Sequence, residues 1–213
     1  MSLSSIMEWA EGYNKRGSYS PIGQTFHWGM AAAIIFQLVF GWWLGRQYVG
    51  ADKYLGYQLH GTIGMTIMAV AALRFVWTSS LPGPETVDDD SFSGKMSALV
   101  EYFFYVCFFA LPISGWVMWS TFPGELTLSV AGLIPIPNLP FDQHSPGLQA
   151  PLMRYARNTH QIFVWGIMLA IPGHAAAAIL HHFWKGDKVL EAMVPDFNGP
   201  EVEGLVGAGP SKG

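Results

Sequence analysis

The chain has 213 residues, of which 51% are hydrophobic and only 12% charged, with a formal net charge of -4. A soluble domain has about a quarter of its residues charged, so the composition points to lipid and excludes an ordinary soluble enzyme. No basic stripe of the kind that binds nucleic acid is present, and the single cysteine, Cys107, excludes both an internal disulfide and a CxxCH haem-attachment sequence.

Residues 1–18, "MSLSSIMEWAEGYNKRGS", contain acids and lack the apolar centre of a signal peptide. They read as a polar N-terminal tail, which leaves the first spanning helix to act as the insertion signal. Charge-free windows then follow at Gly17 to Gly45, Tyr54 to Leu73, Tyr102 to Gly124 and Asn158 to Trp184, of 29, 20, 23 and 27 residues. A spanning helix needs about 20 residues, so the chain is expected to be all-α, an integral membrane four-helix up-and-down bundle over residues 19–195. A further charge-free window, Leu126 to Phe141, contains Pro135, Pro137 and Pro140. Each removes a helix hydrogen bond that lipid cannot replace, so this stretch is expected to be a loop at the membrane surface. Residues 196–213 form a second polar tail.

Orientation follows from Lys and Arg. With both termini inside, the inner side holds Lys15, Arg16, Arg74, Lys95, Lys185, Lys188 and Lys212, against Arg46, Lys53, Arg154 and Arg157 outside.

The histidines fall at two depths. His27 lies near the inner end of the first span, His60 near the outer start of the second, and His160 and His174 near the outer start and toward the inner end of the fourth. Fourteen residues separate His160 from His174; at 1.5 Å and 100° per residue that is about 21 Å and about four turns less 40°, so both rings face nearly the same way. His27 is thereby expected to pair with His174 and His60 with His160. Each pair offers two imidazoles to one flat cofactor, the demand made by haem iron with its two axial positions. Two non-covalent b-type haems are expected, about 20 Å apart, with His27, His174, His60 and His160 as the metal ligands. Gly29, Gly61, Gly64 and Pro172-Gly173 lie beside these histidines and would leave room for a macrocycle. Arg74 at the inner end, and Arg154 and Arg157 at the outer end, are candidate partners of haem propionates.

The alternative for any one such histidine is a packing or proton-path role within the bundle. His181 and His182 are rivals to His174, since His181 shares its face within about 20°, but both precede Lys185 and are placed at the interface. His144, in the proline-rich segment, reads as a solvated histidine, Cys107 as a packed side chain, and Trp42, Trp43, Trp77, Trp119 and Trp184 as interfacial anchors. A zinc cluster at "HAAAAILHH" would need further converging ligands.

"YSPIGQTFHW" (19–28), "LHGTIG" (59–64), "ALPISGWVM" (110–118), "THQIF" (159–163) and "GHAAAAILHHFWKGDKVLEAMVP" (173–195) together resemble the bacterial cytochrome b561 proteins, four-helix membrane cytochromes with two b haems. The resemblance covers about residues 19–195. It implies axial ligation by His27, His60, His160 and His174, location in the bacterial inner membrane, and single-electron transfer between the quinone pool and a donor or acceptor at the outer face. Superoxide:ubiquinone oxidoreductase activity is one expectation. Arg46, Lys53, Arg154 and Arg157 would draw an anion to the outer end, diluted by Asp52, Glu125 and Asp142. The other is an electron-carrying subunit bound to a redox protein or a larger respiratory or photosynthetic membrane complex, which the two tails could dock.

Overall fold

A computed structural model of the chain describes residues 2–48, 50–81, 83–84, 91–121, 127–141 and 147–194. His144, Glu125, Asp142 and the segment 196–213 lie outside the described residues. Among the described residues four helices are long and apolar enough to cross a membrane, as the charge-free windows predict. They are α2 (Pro21–Leu44), α3 (Ala51–Ser80), α4 (Phe92–Ser120) and α5 (Gln149–Leu180), preceded by a short α1 (Leu3–Asn14).

Local chemistry sets the ends. Ser20 caps α2, its Oγ accepting from the Gly23 amide at 3.3 Å, and Pro21 occupies the first helical turn, where its missing N–H costs nothing. Ser91 caps α4 in the same way at 3.0 Å from the Gly94 amide. At the far end of α5 the backbone widens into a π-helical turn, His181–Lys185, closed by Gly186 in the left-handed region at φ 68. The last short helix, α6 (Val189–Met193), follows.

Neighbours in sequence are neighbours in space: α2 packs on α3, α3 on α4 and α4 on α5. The buried clusters lie on this side of the bundle. Met30, Ile67 and Ala71 join α2 to α3 with Phe108 of α4 against them. Met65 and Trp119 join α3 to α4. Backbone contact between α5 and either α2 or α3 is sparse, so that seam is bridged by side chains instead.

Two segments and one residue differ from the sequence expectation. Within the N-terminal stretch read as a polar tail, α1 forms and buries Ala10 and Tyr13 on one face. Within Leu126 to Phe141, two strands, β1 (Leu128–Val130) and β2 (Ile134–Ile136), pair antiparallel across a turn in which Ala131 and Gly132 both have positive φ. That pair of conformations matches the twist of a tight hairpin. The hairpin is laid along α3 at the height of the outer histidines: Leu128 is buried with Met65, and the Ala131 amide donates to Thr66 Oγ1 at 2.8 Å. A surface loop is therefore replaced by a hairpin on the flank of the bundle. Trp119 is likewise a core residue, stacked on Tyr54 at 5.0 Å, and not an interfacial anchor.

Candidate functional site

The four span histidines meet in two pairs. His27 of α2 and His174 of α5 have ring centroids 6.1 Å apart, and His60 of α3 and His160 of α5 have theirs 6.4 Å apart. Helix α5 thus supplies one ring to each level, turned toward α2 at the inner level and toward α3 at the outer, as the 40° lag over fourteen residues requires. Two imidazoles binding one metal from opposite sides, with metal–nitrogen bonds of about 2 Å, stand with centroids about 6 Å apart. Both pairs have that spacing.

Neighbouring groups orient the rings. His160 Nδ1 lies 3.0 Å from the Leu111 carbonyl and 3.0 Å from Ser114 Oγ. Ser114 donates its own proton to the carbonyls of Ala110 and Leu111, at 2.7 and 2.9 Å. A carbonyl can only accept, so Nδ1 carries the hydrogen and Nε2 is left with a free lone pair, the state a metal ligand needs. Phe104 packs edge-on against His174 at 5.5 Å, and Phe40 lies 6.1 Å from His60. His60 Nδ1 is buried without a hydrogen-bond partner, and Gln37, whose Nε2 donates to the His60 carbonyl at 2.7 Å, keeps a buried Oε1 that is also unpartnered.

The small residues divide by role. A Cβ at Gly29 or Gly173 would meet nothing within 4 Å, but both glycines are exposed, and Gly29 lies about 160° around α2 from His27, so their open space is the outer surface of the helices and not room between the rings. Gly61 borders no open space: its missing side chain admits Leu128 of the hairpin, 2.7 Å from where a Cβ would stand. Gly41, which the sequence reading passed over, is the glycine that matters at the outer level, because a Cβ there would fall 2.9 Å from His60 Cε1. Ser114 was also missed. The available signal was a hydroxyl in an apolar span at the depth of a histidine.

Arg74 is half-buried at the inner end of α3 and within electrostatic reach of His27 and His174. It lines a cavity of about 20 Å³, room for about one water molecule, with Tyr19, Thr78 and Trp77. Burial raises the Tyr19 hydroxyl pKa; Glu101 adds to the rise and Arg74 opposes it. Arg154 and Arg157 are exposed at the outer end of α5. By helix geometry Arg157 lies about 60° from His160, whereas Arg154 is about 120° away and approaches the Tyr155 ring at 5.8 Å. His181 and His182 do not join the inner pair: His181 Nδ1 is held by Asp187, and His182 faces Glu191 at 3.7 Å. Among the described residues no group of three or more His, Cys, Asp or Glu could hold a bare metal ion.

Fold and site together define a multi-span helical membrane protein with two facing pairs of imidazoles, one above the other. Residues 18–196 match the family described as prokaryotic cytochrome b561, and the chain belongs to that family, whose function is electron transfer by haem b in the membrane. It is 27% identical over 178 residues to cytochrome b561 homolog 2 of Escherichia coli (strain K12), covering 83% of this chain and 90% of that one. It is 22% identical over 183 residues to cytochrome b562 of Cereibacter sphaeroides, covering 83% and 94% respectively.

Proposed function

We propose that the chain holds two b haems, one between His27 and His174 and one between His60 and His160, and passes single electrons between the quinone pool and a donor or acceptor at the outer face of the bacterial inner membrane. The observation that carries this reading is the spacing of 6.1 and 6.4 Å between paired rings at two heights. Haem b, when bound, supplies a one-electron iron couple whose potential is tuned by axial ligands and their hydrogen bonds. The chain's own part is positional. His160 is fixed in one tautomer by Leu111 and Ser114. Arg74 places a positive charge beside the inner pair, where a propionate would be stabilised. The excess of Lys and Arg on the inner side supports both termini being inside.

The exposed cations Arg154 and Arg157 favour a small anion, superoxide, as the outer substrate. Three of the four outer cations have contacts of their own: Arg46 lies on the Trp42 ring at 3.6 Å, Arg154 approaches the Tyr155 ring at 5.8 Å, and Lys53 donates to the Gln47 carbonyl at 2.8 Å. A second reading, an electron-carrying subunit of a larger membrane complex, draws on the exposed face of α1 and its C-cap, where Glu8 and the Glu11–Lys15 ion pair stand free of the bundle. Stopped-flow mixing of oxidised protein with superoxide separates them. Rapid haem reduction without any protein partner supports the enzyme, whereas reduction only by quinol supports the carrier. No reduction by either donor contradicts both.

A further inference from the structure

The contacts of the hairpin run down the bundle from its outer end. Along β1, Gln58 Nε2 donates to the Thr127 carbonyl at 3.1 Å, Leu128 fills the notch at Gly61, and the Ala131 amide donates to Thr66 Oγ1 at 2.8 Å. From Gln58 to Thr66 is about 12 Å along the axis of α3. Thr66 stands 13 residues past Lys53 and 8 before Arg74, about 20 and 12 Å from those two charges. The turn of the hairpin therefore lies at or beyond the middle of the span. After β2 the chain climbs back along α4, where Trp116 Nε1 donates to the Pro137 carbonyl and the Leu139 amide to Ser120 Oγ, each at 3.0 Å. Ser120 is the last residue of α4.

The flank so covered is turned away from the imidazoles, since Gln58, Gly61 and Thr66 stand about 160°, 100° and 120° around α3 from His60. At the tip Leu133 is 83% and Ile134 62% exposed, and residues 126–141 carry no charge. Bare backbone is the obstacle to such a position, because hydrocarbon cannot satisfy an edge N–H. The register removes it. Opposite residues of an antiparallel pair alternate between exchanging hydrogen bonds and pointing them outward. Pro135, opposite Ser129, has no N–H to exchange and takes the outward position, where its missing donor costs nothing. Pro137, two residues on, likewise has no N–H, and its carbonyl is taken by Trp116. Neither residue leaves a donor on that edge.

We propose that residues 127–139 form a re-entrant hairpin whose tip and outer edge are covered by lipid acyl chains. Nitroxide labelling of the full-length protein in liposomes, in a Cys107→Ala background, tests it. Tyr48→Cys, at a position 97% exposed between α2 and α3, is the water reference, and Leu169→Cys, 74% exposed on α5 and about 180° from His160, is the lipid reference. Power saturation should give a label on Leu133→Cys the behaviour of Leu169→Cys, with collision by oxygen several-fold above collision by a nickel chelate. Ile134→Cys repeats the measurement should Leu133→Cys fail to keep the parental size-exclusion profile and helical circular dichroism. Access of the nickel chelate equal to that at Tyr48→Cys would place the hairpin at the aqueous surface. Shielding from both reagents would mean that a second copy or another protein covers it. Either result would overturn the proposal.

Discussion

A neutral imidazole ligates through one nitrogen, and the bond made by the other decides which. At His160 that bond goes to the Leu111 carbonyl, with Ser114 Oγ at the same distance. Removing such a partner costs about 10- to 100-fold in metal affinity in characterised sites. Ser114→Ala keeps the Leu111 acceptor, so haem retention at the outer level should fall toward the lower end of that range, about tenfold, while the inner level stays as it was. Haem transfer to apomyoglobin, followed separately for the two spectral components, checks this; equal loss rates in variant and parent would assign Ser114 to helix packing alone. The histidines themselves were legible because an apolar span makes any imidazole conspicuous and the helical rise converts spacing into depth. Gly41 was not, because its importance lies in a 2.9 Å approach to a residue on another helix, and no pattern within α2 records it.

At the scale of elements, the inner end is closed by a latch. Gln24 Nε2 reaches the carbonyls of Ala192 and Val194 at 3.3 and 3.1 Å, the Tyr19 amide reaches Ala192 at 2.9 Å, and Trp28 Nε1 reaches Met193 at 2.8 Å. These bonds tie α6 to the start of α2, across 165 residues and more of chain. Each contributes about 1 kcal/mol, so Gln24→Ala should loosen the segment without unfolding the bundle. Amide hydrogen exchange should accelerate several-fold in residues 189–194 and stay unchanged in α3 and α4; unchanged exchange in 189–194 would show that the side-chain bonds are dispensable. The spans were legible from charge-free length, but the hairpin was hidden for a physical reason. Prolines that forbid a helix do not forbid a short two-stranded ribbon, where Pro135 takes its place in β2. Helix α1 was hidden because twelve residues burying only Ala10 and Tyr13 carry little apolar signal.

Across the whole molecule, packing is asymmetric. Apolar clusters fasten α2, α3 and α4 together, while α5 meets α2 and α3 through facing histidine rings at two heights. Small residues normally bring membrane helices close; sparse backbone contact where the paired rings face each other fits a bundle whose helices are joined there through the histidines. Ligands that bind only the folded state stabilise it by mass action, so the haem-free chain should loosen first where α5 faces α2 and α3, while the packed α4–α5 contact persists. The account's central claim is two imidazole pairs, each holding one haem b, and a pyridine haemochrome assay with quantitative amino-acid analysis measures that directly. It predicts two haems b per chain, falling to one in His160→Ala and to one in His27→Ala. A stoichiometry of one in the parent protein, or loss of both haems from either folded variant, would contradict it.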